Sequence, residues 1–281
     1  MTVVTRFAPS PSGYLHLGHA HAALVAWGAA KVAKGRFLLR IEDIDVARMR
    51  TEFEDAIEED LAWLGLDWET PVRRQSDHFD DYGEALGRLA EMNVLYPCFC
   101  TRTEIRAEIE RAGAAPHGPL GPVYPGLCRD LDPLERQARI DKGEPHALRL
   151  HVVRACRLAG GLLWLDEKQG EIEAEPERFG DVVMARKDVP VSYHLAVTVD
   201  DALQSVTLVT RGEDLFEATH IHRLLQALLG LPSPTYHHHP LITGPDGQRF
   251  AKRDNSLTIR ALREAGRGAG EVIQMAGFGG S

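Results

Sequence analysis

The 281-residue chain is short of positive charge: 32 lysines and arginines stand against 41 aspartates and glutamates, a formal net charge of −9. Bulk attraction to a polyanion is therefore excluded as a basis for binding, and an RNA-facing surface would have to be a local basic patch. There is no apolar run long enough to span a bilayer, and no basic-then-apolar start typical of a secretion signal. The expectation is a cytoplasmic protein without membrane contact. Cysteines number only four, which in that compartment favours metal binding or free thiols over disulfides. Internal repeats are absent. Biased composition is confined to a Pro/Gly-rich stretch at 113–126 and a Gly-rich tail from Gly266 to Ser281. What remains is ordinary for a globular chain, 44% hydrophobic and 26% charged, with length enough for one large domain or two modest ones.

The most informative stretch is Arg6 to His19, Arg-Phe-Ala-Pro-Ser-Pro-Ser-Gly-Tyr-Leu-His-Leu-Gly-His. Val3 to Phe7 reads as a short apolar strand, broken by Pro9, Pro11 and Gly13, after which the Ala-rich run from His19 to Trp27 reads as a helix. A strand, a stiff turn and a helix start make a half-site whose backbone N–H groups and positive helix end face an anion. His16 and His19 flank Gly18, where a ligand can lie against bare backbone, and two imidazoles there can stabilise charge developing on a phosphoryl group. Alone, His-x-Gly-His fits two surface histidines around a helix start. The ordered residues upstream carry the nucleotide reading towards adenylyl-transfer chemistry.

Further along, Arg36 to Ile41 reads as a buried strand entering the acidic turn Glu42-Asp43-Ile44-Asp45. Phe53, Ile57, Leu61 and Leu64 share one helix face, closed by Gly65. A second helix carries Phe79, Tyr82, Leu86 and Leu89, with Ser76 or Asp77 as its cap. This alternation predicts an α/β, doubly wound parallel sheet. From Tyr96 to about Arg186 the pattern changes to an inserted stretch of mixed structure, with strands at 147–153 and 162–166 and Cys156 as a packed thiol on a strand. The α/β pattern then returns. Tyr193–Val199 and Val206–Thr210 read as strands, Thr219–Leu229 as a helix, and the rest as irregular turns with one short helix near 257–263.

Three further groups carry chemistry. Cys98-Phe99-Cys100 offers two thiolates on one turn and Cys128 a third, which suits zinc; the fourth ligand is open between Tyr124 and His117, with His117 ahead on general ligand frequency. Glu42, beyond the carboxyl end of a strand, is placed to hold a substrate ammonium group, and Arg211 at the head of a turn suits a carboxylate. Gly247 to Arg253 is a glycine turn with three cations, where Lys252 would neutralise departing β- and γ-phosphates. The run His237-His238-His239 reads as loop, since adjacent histidines do not easily share one ion.

Taken together, Arg6 to His19, Leu39-Arg40-Ile41-Glu42-Asp43, Tyr193-x-Leu-Ala-Val-x-Val-Asp-Asp and Arg211-Gly-Glu-Asp-Leu resemble, in order, the catalytic core of class I glutamyl-tRNA synthetases. Arg249-Phe250-Ala251-Lys252-Arg253 matches the family's Lys-Met-Ser-Lys-Ser loop loosely, and only Lys252 carries over. In extent the chain is similar to the truncated branch, the glutamyl-queuosine tRNA(Asp) synthetases. That branch's Cys-x-Cys…Tyr-x3-Cys set matches Cys98, Cys100, Tyr124 and Cys128, so the resemblance implies Tyr124 in place of His117. It implies a Rossmann-like catalytic domain over 1–95 and 187–232, an inserted zinc-containing α+β subdomain over 96–186, and a lysine-loop and short stem-contact-like segment over 233–281. Catalysis would fall to His16, His19 and Lys252, and ATP binding to these with Gly18. Arg6, Phe7, Ala8, Pro9, Ser10, Glu42, Tyr193 and Arg211 would hold glutamate. One structural Zn²⁺ and Mg²⁺ with ATP are the implied cofactors. The implied partners are ATP, L-glutamate and queuosine-containing tRNA(Asp), with no DNA, and the implied oligomeric state is a monomer.

Overall fold

A computed structural model describes residues 2–111, 117–119, 121–242 and 258–279, with backbone alone at 109–111 and 117–118. In chain order the first half holds β1 (Val4–Phe7), α1 (Leu17–Val32), β2 (Arg36–Ile41), α2 (Thr51–Trp63), β3 (Glu69–Arg74), α3 (Phe79–Glu91) and β4 (Leu95–Cys98). The middle holds α4 (Arg102–Arg111), β5 (His117–Gly118), β6 (Gly121–Pro122), α5 (Pro133–Asp141), β7 (Ala147–Leu150), α6 (Val152–Ala159), β8 (Leu163–Asp166), β9 (Gly170–Glu173) and β10 (Val183–Ala185). After these come α7 (Tyr193–Leu203), β11 (Leu208–Gly212), α8 (Ala218–Leu228), β12 (Thr235–His239), α9 (Ile259–Glu264) and α10 (Ala269–Met275).

β1, β2 and β3 run parallel, as do β11 and β12, and β12 continues through Tyr236–Asp166 to the β8–β9 hairpin. β11 lies against β1, and the segment entering it is tied by the Thr207 N–H to the Val4 carbonyl at 3.0 Å. Chain order therefore reverses between β1 and β11, the kind of switch point at which an open α/β sheet leaves a crevice. β4, β7 and β10 form a second, antiparallel sheet.

Side-chain alternation places the chemistry. On β2, Phe37, Leu39 and Ile41 enter one apolar core with α1, α2, α9 and α10, while Leu38 enters another with Val4, Trp164 and Tyr236. Arg40 shares the Leu38 face, and Arg6 shares the Val4 face of β1. Both guanidiniums thus point towards α7. A third core joins α3, α6, α7 and α8.

Several expectations are corrected. Residues 193–203 are helix α7, not a strand. Its buried set includes every residue from Leu195 to Asp201, so no polar face reveals the helical period, and an apolar run of that length is ambiguous in sequence. His237–His239 belong to β12, paired with Thr210–Gly212 of β11, rather than to a loop. Cys156 is on helix α6, and Arg211 lies within β11 instead of opening a turn. His78 occupies the N-cap position of α3; Ser76 is engaged by Asp43. Two helices, not one, follow residue 258.

Candidate active site

Arg6 and Arg40 meet on one carboxylate. Asp201 of α7 accepts from Arg6 Nε at 2.9 Å and from Arg40 Nη1 at 2.8 Å, and Arg6 Nη1 also donates to the Thr210 carbonyl at 3.1 Å. Arg40 is wholly buried, donates to Glu42 at 3.1 Å and to Gln204 at 3.1 Å, and lies 3.7 Å from Asp200. Burial alone would lower its pKa; Asp201, Glu42 and Asp200 reverse this and raise it. The same pairing holds Asp201 below the usual carboxylate range against the pull of burial. Glu42 lies above that range because burial outweighs Arg40 and Arg6. Asp200, behind, accepts from Arg73 and Gln75 at 2.7 Å and from Tyr82 at 3.0 Å. A buried charge that loses its partner costs about 3–5 kcal/mol, so these pairs fix the arginines firmly.

The turn after β1 is bound to the turn after β2 by the Glu42 N–H, which donates to the Pro9 carbonyl at 3.0 Å. Of the residues expected to hold glutamate, Phe7 has its ring in the core and Pro9 is buried, while Ser10 is exposed and Ala8 half-buried. Only their backbone and the Ser10 hydroxyl are left to face a ligand. Tyr193 begins α7, and burial pushes its phenol up while Arg211, Glu42, Arg6 and Asp201 all act on it. The expected residues Arg6, Glu42, Tyr193 and Arg211 therefore share one electrostatic neighbourhood.

Arg211 is held differently. Its Nε donates to His238 Nε2 at 3.1 Å, Nη1 to His222 Nδ1 at 3.1 Å, and Nη2 to the Thr219 hydroxyl. His238 Nδ1 faces Asp166 Oδ2 at 2.8 Å, and His222 Nε2 faces His194 Nδ1 at 3.1 Å. Burial, then Arg211, lowers His194 and His238 each to about 4 and His222 well below its usual value.

At the start of α1, His16 and His19 form a reciprocal cap. His16 Nδ1 accepts from the Gly18 N–H at 3.1 Å, His19 Nδ1 accepts from the His16 N–H at 3.1 Å, and the ring centroids lie 3.8 Å apart. A Cβ at Gly18 would sit 2.9 Å from His16 Cε1 and displace that imidazole, so the glycine leaves the helix start as bare backbone with His16 in place. Thr258 bridges to His16, and the Ile259 N–H donates to the Leu15 carbonyl at 2.8 Å. Lys252 and its neighbours from Arg249 to Arg253 lie outside the described residues.

The thiols of Cys98, Cys100 and Cys128 lie within 4.8 Å of one another, and the Tyr124 hydroxyl is 3.4 Å from Cys98 Sγ and 3.6 Å from Cys100 Sγ. The Phe99 N–H points at Cys128 Sγ at 3.4 Å. Three sulfurs and one oxygen converging at this spacing, backed by an N–H, fit a tetrahedral soft-metal site. At His117 only the backbone is described, so its side chain is not placed against this cluster. Arg40, Asp200, Asp201, His222 and His238 join the candidate site although sequence reasoning assigns them no role. The Asp-Asp pair ending the α7 motif is a usable signal for two of them; His238 reads as loop and His222 as one more residue of a helix.

The family described as tRNA synthetases class I (E and Q), catalytic domain, matches residues 2–276. A relative from Rhodobacter capsulatus named glutamyl-Q tRNA(Asp) synthetase is 48% identical over 286 residues, covering 98% of this chain and 100% of its own length. The glutamate-tRNA synthetase of Elizabethkingia anophelis superposes with a TM-score of 0.78 at 29% identity over 91% of this chain. That of Elizabethkingia meningosepticum, solved in complex with its amino acid, gives 0.76 at 30% identity, also over 91%. The chain spans about half the length of these two solved proteins, 54% and 53%.

Proposed function

The chain belongs to the class I tRNA synthetase family of the glutamyl and glutaminyl type, and from that premise we propose that it activates L-glutamate with ATP, without tRNA, and transfers it to queuosine in tRNA(Asp). The observation that carries the amino-acid assignment is that, at the β1/β11 switch point, Arg6 and Glu42 are joined through Asp201 and Arg40, while the Tyr193 ring lies 5.7 Å from that of His222, which accepts from Arg211. Two guanidiniums suit the two carboxylates of glutamate, and Glu42 suits its ammonium. The relative from Rhodobacter, matched end to end, supports the acceptor.

In this reading an oxygen of the glutamate α-carboxylate attacks the α-phosphorus of ATP; the bond to the β-phosphate oxygen breaks, and pyrophosphate leaves. His16 and His19 stabilise the charged phosphoryl centre from the α1 start, with Gly18 allowing close approach, and Lys252 neutralises the leaving group. Mg²⁺ bound with ATP would supply further charge neutralisation there. A hydroxyl of the queuosine cyclopentene ring at the wobble position then attacks the acyl carbon, AMP leaves, and the hydroxyl proton passes to solvent. Since the adenylate is already activated, this second step asks mainly for positioning.

Residues 1–95 and 187–232 form the catalytic unit, 96–186 the inserted segment and 233–281 the lysine-loop segment. A structural zinc on Cys98, Cys100, Cys128 and Tyr124 would brace the inserted segment, and the enzyme acts as a monomer.

The test supplies ATP and labelled glutamate with queuosine-containing or unmodified tRNA(Asp), alongside glutamate-dependent ATP–pyrophosphate exchange without tRNA. Exchange without tRNA and label on queuosine alone are expected. Label accepted without queuosine, or esterified at a 3′ terminus, overturns the acceptor. No exchange overturns the activation step.

A further inference from the structure

Arg6 and Arg211 are equally buried, each 6% exposed, but their partners differ in charge. Arg6 sits on the Asp201 carboxylate. Among the described residues, Arg211 makes no ion pair and rests on two imidazoles and a hydroxyl. The nearest carboxylate in this chain of bonds, Asp166, is held one imidazole away, behind His238.

The bonding directions follow from the guanidinium, which can only donate. His238 must accept at Nε2, so its proton is on Nδ1 and points to Asp166. His222 must accept at Nδ1, so its proton is on Nε2 and points to His194 Nδ1. His238, His222 and His194 are thereby each neutral with a fixed tautomer. A carboxylate in any of these positions would have bonded the guanidinium about twice as strongly. Among the described residues three of the five N–H groups of Arg211 are used, which leaves one on each terminal nitrogen.

We propose that His238, His222 and Thr219 are positioning residues that orient Arg211 through neutral acceptors alone, reserving its charge for a carboxylate of the substrate and selecting an acidic side chain over its amide. This rests on the reading of Arg211 as a ligand of the amino acid. A purely structural role would require only that the buried donors be satisfied, and a carboxylate would do that as well or better.

The experiment compares isosteric variants that differ only in charge. His222→Asn keeps a neutral acceptor, and His222→Asp supplies a carboxylate. In glutamate-dependent ATP–pyrophosphate exchange, the Asn variant is expected to stay within about threefold of wild type in glutamate KM. The Asp variant is expected to raise it about 30-fold and to cut the preference for glutamate over glutamine about tenfold. The ATP KM should stay within about threefold in both, since removing one charge-assisted hydrogen bond to the amino acid has effects of this order on that substrate alone. The pair Thr219→Asn and Thr219→Asp repeats the comparison and decides it if either His222 variant fails to fold. Equal glutamate KM in the Asn and Asp variants, or a parallel rise in ATP KM, overturns the inference. Wild-type exchange alongside such equality leaves the functional reading standing, whereas wild type without glutamate-dependent exchange overturns both.

Discussion

At the scale of single residues, the buried imidazoles set how this protein responds to acid. His194 and His238 titrate near 4 when folded, against about 6.5 for a free histidine. Between those values the unfolded chain takes up more protons than the folded one, so their contribution to stability is complete above pH 6.5 and is lost as the pH falls towards 4. Asp60 works the other way: burial raises it to about 6, so its cost is relieved as pH falls. The informative measurement is therefore a difference. Denaturant unfolding of wild type and His238→Gln at pH 7 and pH 5 should show a smaller loss on acidification in the variant. An equal loss would refute a neutral His238. Arg6, Glu42, Tyr193 and Arg211 are each legible in the sequence as members of ordered motifs. Asp201 stands in such a motif without revealing its partners, and His238 stands in none, because their importance lies in what they touch, across 195 and 27 residues of chain.

The start of α1 shows what an element contributes. His16 caps the helix and His19 returns the bond, so the imidazoles are held by the backbone they terminate. Gly18→Ala would push a methyl group against His16. Helix propensity gains about 1 kcal/mol from the change while a disturbed cap costs about 1 kcal/mol, so the two effects nearly cancel in stability. The ATP KM is expected to rise on the order of tenfold, as misplaced positioning groups do, while Tm moves by less than about 3 °C. A large drop in Tm with KM unchanged would make Gly18 a folding residue only. The strand–turn–helix is readable in advance because Pro9, Pro11 and Gly13 punctuate it. α7 is not, since burial on all sides erases the period that tells helix from strand.

For the whole molecule, the Cys/Tyr cluster has its own small apolar core with Tyr96, Phe99 and Leu131, sharing no residue with the cores around α1 and α7. Metal analysis of the purified protein is expected to return about one zinc per chain, the stoichiometry of a single four-ligand site. Cys128→Ser should abolish it and lower transfer to tRNA, with glutamate-dependent exchange within about threefold of wild type. Zinc retained by the variant would remove Cys128 from the ligand set. The segment carrying the cluster is bound to the rest through the β8–β9 hairpin, which extends the main sheet, and through α6, which packs in the core of α3, α7 and α8.

Sequence alone determined the strand–turn–helix of residues 4–32, the α/β class and the identities of the charged residues, because these depend on local punctuation and on residue chemistry in fixed order. Tertiary structure decided the partners: which arginine is neutralised and which is not, and that a histidine run is a buried strand. Those follow from strands and helices distant in sequence meeting at the β1/β11 reversal, where pairing and desolvation assign each charge its role.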